Sequence, residues 1–196
     1  SQAQIVHISP AHHYPTGISM PIQRRLEILK WATQQHTYII EDDYDSEFRL
    51  RGKPLSTLYQ IDQNERVIYL NTFSKTLAPS FRMSYMVLPP HLVQLYHNKF
   101  AFSACSVSSF EQIILAEFMK QGYFEKHINR MRNSYKMIRD ELLTQLQQSV
   151  IHQDINITEE NAGLHFLLHY HSSLSDVAII EKAHNIGLNI ATLSQF

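Results

Sequence analysis

Two short apolar runs, each followed at once by polar side chains, most constrain the fold of this 196-residue chain. Residues 38–40 lead into the acidic segment 41–45, and residues 67–70 lead into the segment 71–75. Continuous apolar runs are typical of strands buried on both faces, since a half-buried strand alternates apolar and polar residues. Similar runs lie at residues 5–9 and 83–88. Between the runs at 5–9 and 38–40, apolar residues recur at helical spacing. These residues are Ile22, Leu26, Leu29 and Ala32. The sequence therefore predicts an α/β fold with helices on both faces of a sheet.

The second part of the chain has a different pattern. Helices are predicted at residues 92–101, 109–120 and 123–148. The longest has an apolar stripe formed by Ile128, Met131, Tyr135, Ile138, Leu142 and Leu146. Strands at 150–157, 163–170 and 188–191 and a helix at 176–185 follow. We therefore predict a large α/β domain in residues 1–121, and a linking helix with part of a small α+β domain in residues 122–196.

Composition excludes several classes of protein. A formal net charge of −1 gives no reason to expect a nucleic-acid-binding face on this segment. No window approaches the roughly 20 apolar residues that cross a bilayer, so no membrane partner is expected. The single cysteine, Cys105, excludes an internal disulfide framework and is expected to be a buried small residue. A cytoplasmic location is expected. Both termini adjoin strand-like runs and are expected to be cuts through a larger fold.

Polar side chains gather where the predicted strands end. Tyr14 precedes a Pro-Thr-Gly turn after the first strand, Asp42 and Tyr44 follow the second, and Lys75 follows the third, with Arg82 shortly after. Ligands of open α/β sheets bind at the carboxyl ends of the strands. Each of these features alone is common in proteins, and their order along one chain is what makes them specific.

Residues 72–79, TFSKTLAP, followed by residues 81–85, FRMSY, resemble the lysine segment of fold-type-I enzymes that use pyridoxal 5′-phosphate (PLP), the aspartate aminotransferase group. Within that group, the chain is most similar to MocR-type regulators of the GntR superfamily. These proteins join an N-terminal winged helix-turn-helix domain to an aminotransferase-like domain. Residues 41–49, EDDYDSEFR, the run 111–132 and the segment AGLH at 162–165 carry this resemblance. It covers nearly the whole chain and implies the large-domain sheet of fold type I.

The resemblance implies a role for individual residues. Lys75 would form the Schiff base, or aldimine, with the cofactor, and would later move a proton. Asp42 would face the pyridine nitrogen, where a carboxylate keeps the ring protonated and able to accept electrons. Tyr44 would lie near the ring O3′. The phosphate would be held by hydroxyls and an arginine, namely Thr72, Ser74 and Arg82.

The chain departs from the family pattern at a few positions. Tyr14 stands where many aminotransferases have an asparagine that forms a hydrogen bond to O3′. Tyr14 is predicted to contact the cofactor at this position. Ser80 and Ser84 replace glycines that often flank the phosphate arginine. The glycine-rich helix start and the aromatic that stacks on the ring are expected before Ser1. The arginine for the substrate carboxylate is expected beyond Phe196.

The twelve histidines are scattered, and no metal site is expected. The pair at positions 12 and 13 and the pair at 169 and 171 could suggest a metal. Neither pair has a cysteine or carboxylate at the spacing of a zinc site.

The sequence leaves three functions open. The chain could be the ligand-sensing part of a MocR-type regulator, which binds PLP and an amino compound and contacts DNA only through a domain absent from this chain. It could be a catalytic class I/II aminotransferase that moves an amino group between an amino acid and a 2-oxo acid. It could also be an incomplete fragment that no longer binds PLP. The MocR-like segments favour the first, and the resemblance further implies a homodimer.

Overall fold

The computed structural model describes residues 3–52 and 55–196 as two sheets with flanking helices. The strands are β1 (Ile5–Ile8), β2 (Tyr38–Asp43), β3 (Val67–Thr72), β4 (Ser84–Val87), β5 (Ile155–Thr158) and β6 (Leu167–Tyr170). The helices are α1 (Ile22–Gln34), α2 (Leu58–Ile61), α3 (Phe73–Thr76), α4 (Pro90–Phe100), α5 (Ser109–Lys120), α6 (Tyr123–Gln148) and α7 (Asp176–Asn185). Short 3₁₀ turns lie at Ser46–Phe48, His152–Asp154 and Leu193–Gln195.

The main sheet has the strand order β1-β2-β3-β4. The first three strands are parallel, and β4 runs antiparallel to β3. A parallel return needs a crossover of about a dozen residues or more, and the link between β3 and β4 holds only the one-turn helix α3. The register places Asp42 beside Leu70 and Thr72 opposite Ser84. The carboxyl ends of β2 and β3 and the start of β4 therefore lie along one edge of the sheet.

Helices lie against both faces of this sheet, in agreement with the sequence. On one face the buried core comprises Leu29, Ala32, Ile39, Leu58 and Val67. Burying a leucine, isoleucine or valine side chain stabilises a fold by roughly 1.5–3 kcal/mol. Tyr38 points to the opposite face from its neighbour Ile39, and its hydroxyl lies 2.7 Å from Nε2 of His91 in the first turn of α4.

Two buried arginines alter the predicted helix stripes. In α1 Arg25 is among the buried residues, while Ile22 and Leu26 remain 56% and 49% exposed. In α6 Arg139 is likewise among the buried residues, and its neighbour Ile138 is 62% exposed. Backbone carbonyl oxygens accept the hydrogen bonds of Arg25, and side-chain oxygens of neighbouring residues accept most of those of Arg139. Both guanidinium groups can therefore be buried.

Strands β5 and β6 form a separate antiparallel pair after helix α6. Helix α6 packs against the turn that follows β2, with the rings of Phe48 and Tyr135 5.3 Å apart. The strand predicted at 188–191 is wrong, because no strand of the described residues lies beside this segment to share hydrogen bonds. Strand β6 begins at Leu167 and not at 163, because residues 162–165 pack against the main sheet instead. Cys105 is exposed, contrary to expectation.

Among the described residues, no helix has the length and apolar character needed to span a bilayer.

Candidate cofactor-binding site

Strand β2 separates its acidic residues onto two faces. Glu41 and Asp43 are buried, 0% and 2% exposed, whereas the Asp42 side chain between them is 37% exposed. Successive side chains of a strand point to opposite faces, so Asp42 faces away from the other two. Its carboxylate lies 3.3 Å from Nε2 of His7 on the neighbouring strand. Asp42 is thus the acidic residue of β2 that remains accessible at the sheet edge.

Asp42 lines a cavity of about 240 Å³ at the ends of three strands. The other lining residues are Leu70, Asn71, Thr72, Ser84, Tyr85 and Met86. The structure therefore brings together two predicted site residues, Asp42 and Thr72. It does not place Ser74, Lys75 or Arg82 in the wall of this cavity, since all three belong to the segment that links β3 to β4.

Thr72 fixes the start of that linking segment. Its Oγ1 accepts a hydrogen bond from the backbone N–H of Ser74 at 3.2 Å, which caps the one-turn helix α3. The same hydroxyl donates to the carbonyl oxygen of Met83 at 3.3 Å. The cap sets the direction in which α3 leaves β3, and so sets the position of Lys75.

Lys75 and Arg82 are both exposed cations. Within the described part of the chain, neither side chain forms a hydrogen bond or an ion pair. Both remain available to bind an aldehyde or an anion.

Tyr44 is tied to the loop that follows β1. Its hydroxyl donates a hydrogen bond to the carbonyl oxygen of His12 at 2.7 Å. Burial raises the pKa of Tyr44 above its ordinary value, and the nearby charges of Asp45 and Asp42 raise it further. The phenol is therefore protonated at neutral pH.

Tyr14 is 54% exposed and stacks edge-on against His165, with ring centroids 5.5 Å apart.

Three residues that the sequence-based interpretation left without a role form a cluster beside Tyr44: His12, Asp45 and His165. Nδ1 of His12 lies 2.8 Å from Oδ2 of Asp45, and both residues are 1% exposed. The ring of His165 lies 4.0 Å from that of His12. The pKa of His165 is lowered by burial, by the charge of His12 and, to a lesser degree, by the charge of Lys75.

The cluster contains possible metal ligands, whose donor atoms lie within 4.8 Å of one another. Yet His12 and Asp45 already bond each other, and the backbone of Gly163 fills the space beside them. A Cβ on Gly163 would lie 2.2 Å from Nδ1 of His12. We therefore describe the three residues as a hydrogen-bonded cluster, and the absence of a metal site stays a prediction.

The remaining buried carboxylates hold the sheet edge together. Glu41 accepts the backbone N–H groups of Leu58 and Tyr59 at the start of α2, at 2.8 and 2.9 Å. Asp43 accepts the hydroxyls of Ser46 and Tyr69, at 2.7 and 2.8 Å. Burial nevertheless raises the pKa of Asp43 above its ordinary value.

The family of this chain is evident from its similarity to known proteins. The family described as aminotransferase class I and II matches residues 2–194. The chain belongs to this aminotransferase family. Among solved structures, the kynurenine aminotransferase of Pyrococcus horikoshii superposes with a TM-score of 0.82 at 29% identity, over 96% of this chain and 46% of that one.

Curated relatives of this aminotransferase-family chain include transcriptional regulators. The HTH-type transcriptional regulator YdeL of Bacillus subtilis is 42% identical over 98% of this chain and 42% of YdeL. The probable rhizopine catabolism regulatory protein MocR of Rhizobium meliloti is 32% identical over 98% of this chain and 39% of MocR. The chain thus spans about two fifths of the length of these relatives.

The residues at the sheet edge fit PLP, the cofactor of this aminotransferase fold. The cofactor has a basic ring nitrogen, an aldehyde and a phosphate. The edge and the segment that follows it offer an accessible carboxylate at Asp42, an exposed amine at Lys75 and an exposed guanidinium at Arg82. When bound, PLP supplies an electron sink for bonds at an amino-bearing carbon.

Proposed function

We propose that this chain is the aminotransferase-like effector region of a MocR/GntR-type transcriptional regulator, which holds PLP through Lys75 and senses an amino compound. The observation that carries the proposal is the accessible carboxylate of Asp42. It shares a cavity with Thr72 at the edge from which the exposed cations Lys75 and Arg82 follow.

Each side chain has a separate task in this proposal. Asp42 would bind the protonated ring nitrogen, and Tyr44 and Tyr14 would contact the ring O3′. The Lys75 amine would hold the cofactor through its aldehyde carbon. The hydroxyls of Thr72 and Ser74 and the guanidinium of Arg82 would bind the phosphate, since arginine can donate two parallel hydrogen bonds.

The similarity of this chain to transcriptional regulators favours a regulatory function over a catalytic one. YdeL and MocR are described as regulators and align with nearly the whole of this chain. In the proposal, DNA is contacted only through a region outside this chain. An amino compound shifts the arrangement of the whole protein if its affinity differs between two global states. We also propose a cytoplasmic homodimer, with a large domain in residues 1–121 and the linking helix and small domain in residues 122–196.

A catalytic aminotransferase is the second candidate, because the fold is shared with the Pyrococcus horikoshii enzyme. Sustained conversion of an amino acid and a 2-oxo acid by the full-length protein would favour this candidate. Amino-compound binding without turnover would favour the sensor.

The proposal is tested by titrating the full-length protein with PLP and recording its visible absorbance. We expect a visible band that Lys75→Ala abolishes. Lys99→Ala removes another exposed lysine, from α4, and is expected to keep the band. A wild-type protein without the band, or a Lys75→Ala variant that retains it, would overturn the proposal.

A further inference from the structure

We propose that His12 and Asp45 form a buried positioning pair, which fixes the Tyr44 phenol at the cofactor site and links it to residues 162–165. The inference rests on the proposed function, because it concerns how the same site is tuned. Neither residue would contact the reacting atoms, and both would act through Tyr44.

The pair is held by a long-range hydrogen bond. Nδ1 of His12 lies 2.8 Å from Oδ2 of Asp45, and each residue is 1% exposed. The same oxygen accepts the backbone N–H of Leu164, so Nδ1 of His12 is assigned as the donor in this pair. Nε2 of His12 is buried without a partner among the described residues. The Asp45 bond therefore holds the imidazole in one orientation.

The backbone of His12 transmits this constraint to Tyr44. The phenol donates its single proton to the His12 carbonyl oxygen at 2.7 Å. While that bond lasts, the phenol oxygen can accept a hydrogen bond from a neighbouring group but cannot donate one. Anchoring the His12 side chain to Asp45 therefore fixes both the position and the hydrogen-bond polarity of Tyr44.

The segment between β5 and β6 closes over the same pair. The backbone N–H of Leu164 donates to Oδ2 of Asp45 at 3.1 Å. Gly163 packs so closely that an added Cβ would lie 2.2 Å from His12 and 2.5 Å from Asp45. The ring of His165 lies beside that of His12. A displacement of this segment would change the contacts of the pair, so its position and the state of Tyr44 are coupled.

The test compares variants of the full-length protein loaded with PLP, using the pH midpoint of the visible cofactor band. Tyr44→Phe reports the direct loss of the phenol. We expect His12→Leu to shift the midpoint in the same direction, by about one pH unit. His12→Asn is the matched control, since its amide nitrogen can replace Nδ1 as donor to Asp45, and it should stay within about 0.3 pH unit of wild type. The double variant His12→Leu/Tyr44→Phe should match Tyr44→Phe alone.

A wild-type midpoint in His12→Leu, or additive shifts in the double variant, would overturn the positioning role. A wild-type protein that forms no band would instead overturn the proposed function, so the two failures are distinguishable. If His12→Leu loses its native circular dichroism spectrum, Asp45→Ala, which removes the acceptor oxygen, decides by the same outcomes.

Discussion

Asp42 and Asp43 are adjacent in the chain but lie on opposite faces of strand β2. The Asp42 side chain is 37% exposed and lines the edge cavity, whereas Asp43 is 2% exposed and accepts hydrogen bonds from Ser46 and Tyr69. One carboxylate is therefore available for a ligand, and the other stabilises the sheet edge.

Alanine at these two positions should give opposite results. We expect Asp42→Ala to weaken PLP binding about tenfold, or roughly 1.4 kcal/mol. Its free energy of unfolding should change by no more than about 0.5 kcal/mol. Asp43→Ala should lower that free energy by about 1–3 kcal/mol, because two buried hydroxyls lose their acceptor. Absorbance titration and urea unfolding measure the two quantities. Unchanged PLP affinity in Asp42→Ala would contradict the role given to Asp42.

The pH dependence of stability should report the burial of Asp43. Burial raises its pKa above the ordinary value of 3.8, so the folded protein binds this proton more tightly than the unfolded chain does. The resulting stabilisation is complete below the unfolded pKa and is lost as pH rises through the folded pKa. Asp43→Asn keeps the group neutral at every pH.

We therefore expect the free energy of unfolding of Asp43→Asn, relative to wild type, to increase from pH 4 upward. Urea unfolding of both proteins at several pH values measures this difference. A difference that falls with rising pH would show that Asp43 is stabilised mainly in its ionised form.

Local pattern and resemblance predicted most of the secondary structure, including helices α5, α6 and α7 with their observed bounds. They also placed Asp42 and Thr72 at one edge, where the structure has them. The cluster of His12, Asp45 and His165 could not be predicted, because its members lie far apart in the chain and only the folded structure brings them together. The run EDDYD drew attention to Asp45 without indicating its partner.

The buried arginines were missed for a related physical reason. Apolar periodicity assigns charged residues to the solvent face, but a guanidinium can be buried when carbonyl oxygens satisfy its donors. Arg25 donates to the carbonyls of Met20, Ser56 and Pro10, at 2.9, 2.8 and 2.6 Å. A backbone carbonyl has no side-chain signature, so none of these three partners can be recognised from the sequence.

Replacing Arg25 should therefore be costly. We expect Arg25→Lys to lower the free energy of unfolding by about 3 kcal/mol, since one ammonium group cannot reach all three carbonyls. Arg24→Lys makes the same change at the adjacent exposed residue and should stay within about 0.5 kcal/mol of wild type. Thermal or urea unfolding compares the two. Equal stability of both variants would show that the Arg25 hydrogen bonds contribute little.

Two glycines should respond differently to alanine. Gly163→Ala would place a Cβ 2.2 Å from His12, and we expect a loss of about 1–3 kcal/mol from overpacking. Gly122 has no neighbour within 4 Å of an added Cβ but has a φ of +73°, so Gly122→Ala should lose about 1–2 kcal/mol from backbone strain alone. Only Gly163→Ala should also change the visible band of the PLP-loaded protein. An unchanged band in Gly163→Ala, with the variant destabilised, would argue against coupling of this segment to the cofactor.

The covalent attachment point of the cofactor is the most direct measure of the proposed site. The full-length protein is incubated with PLP, reduced with borohydride and digested with a protease. The masses of its peptides are then measured by mass spectrometry. We predict that the added cofactor mass lies on the peptide that contains Lys75. Attachment at a different lysine, or no attachment, would contradict the account.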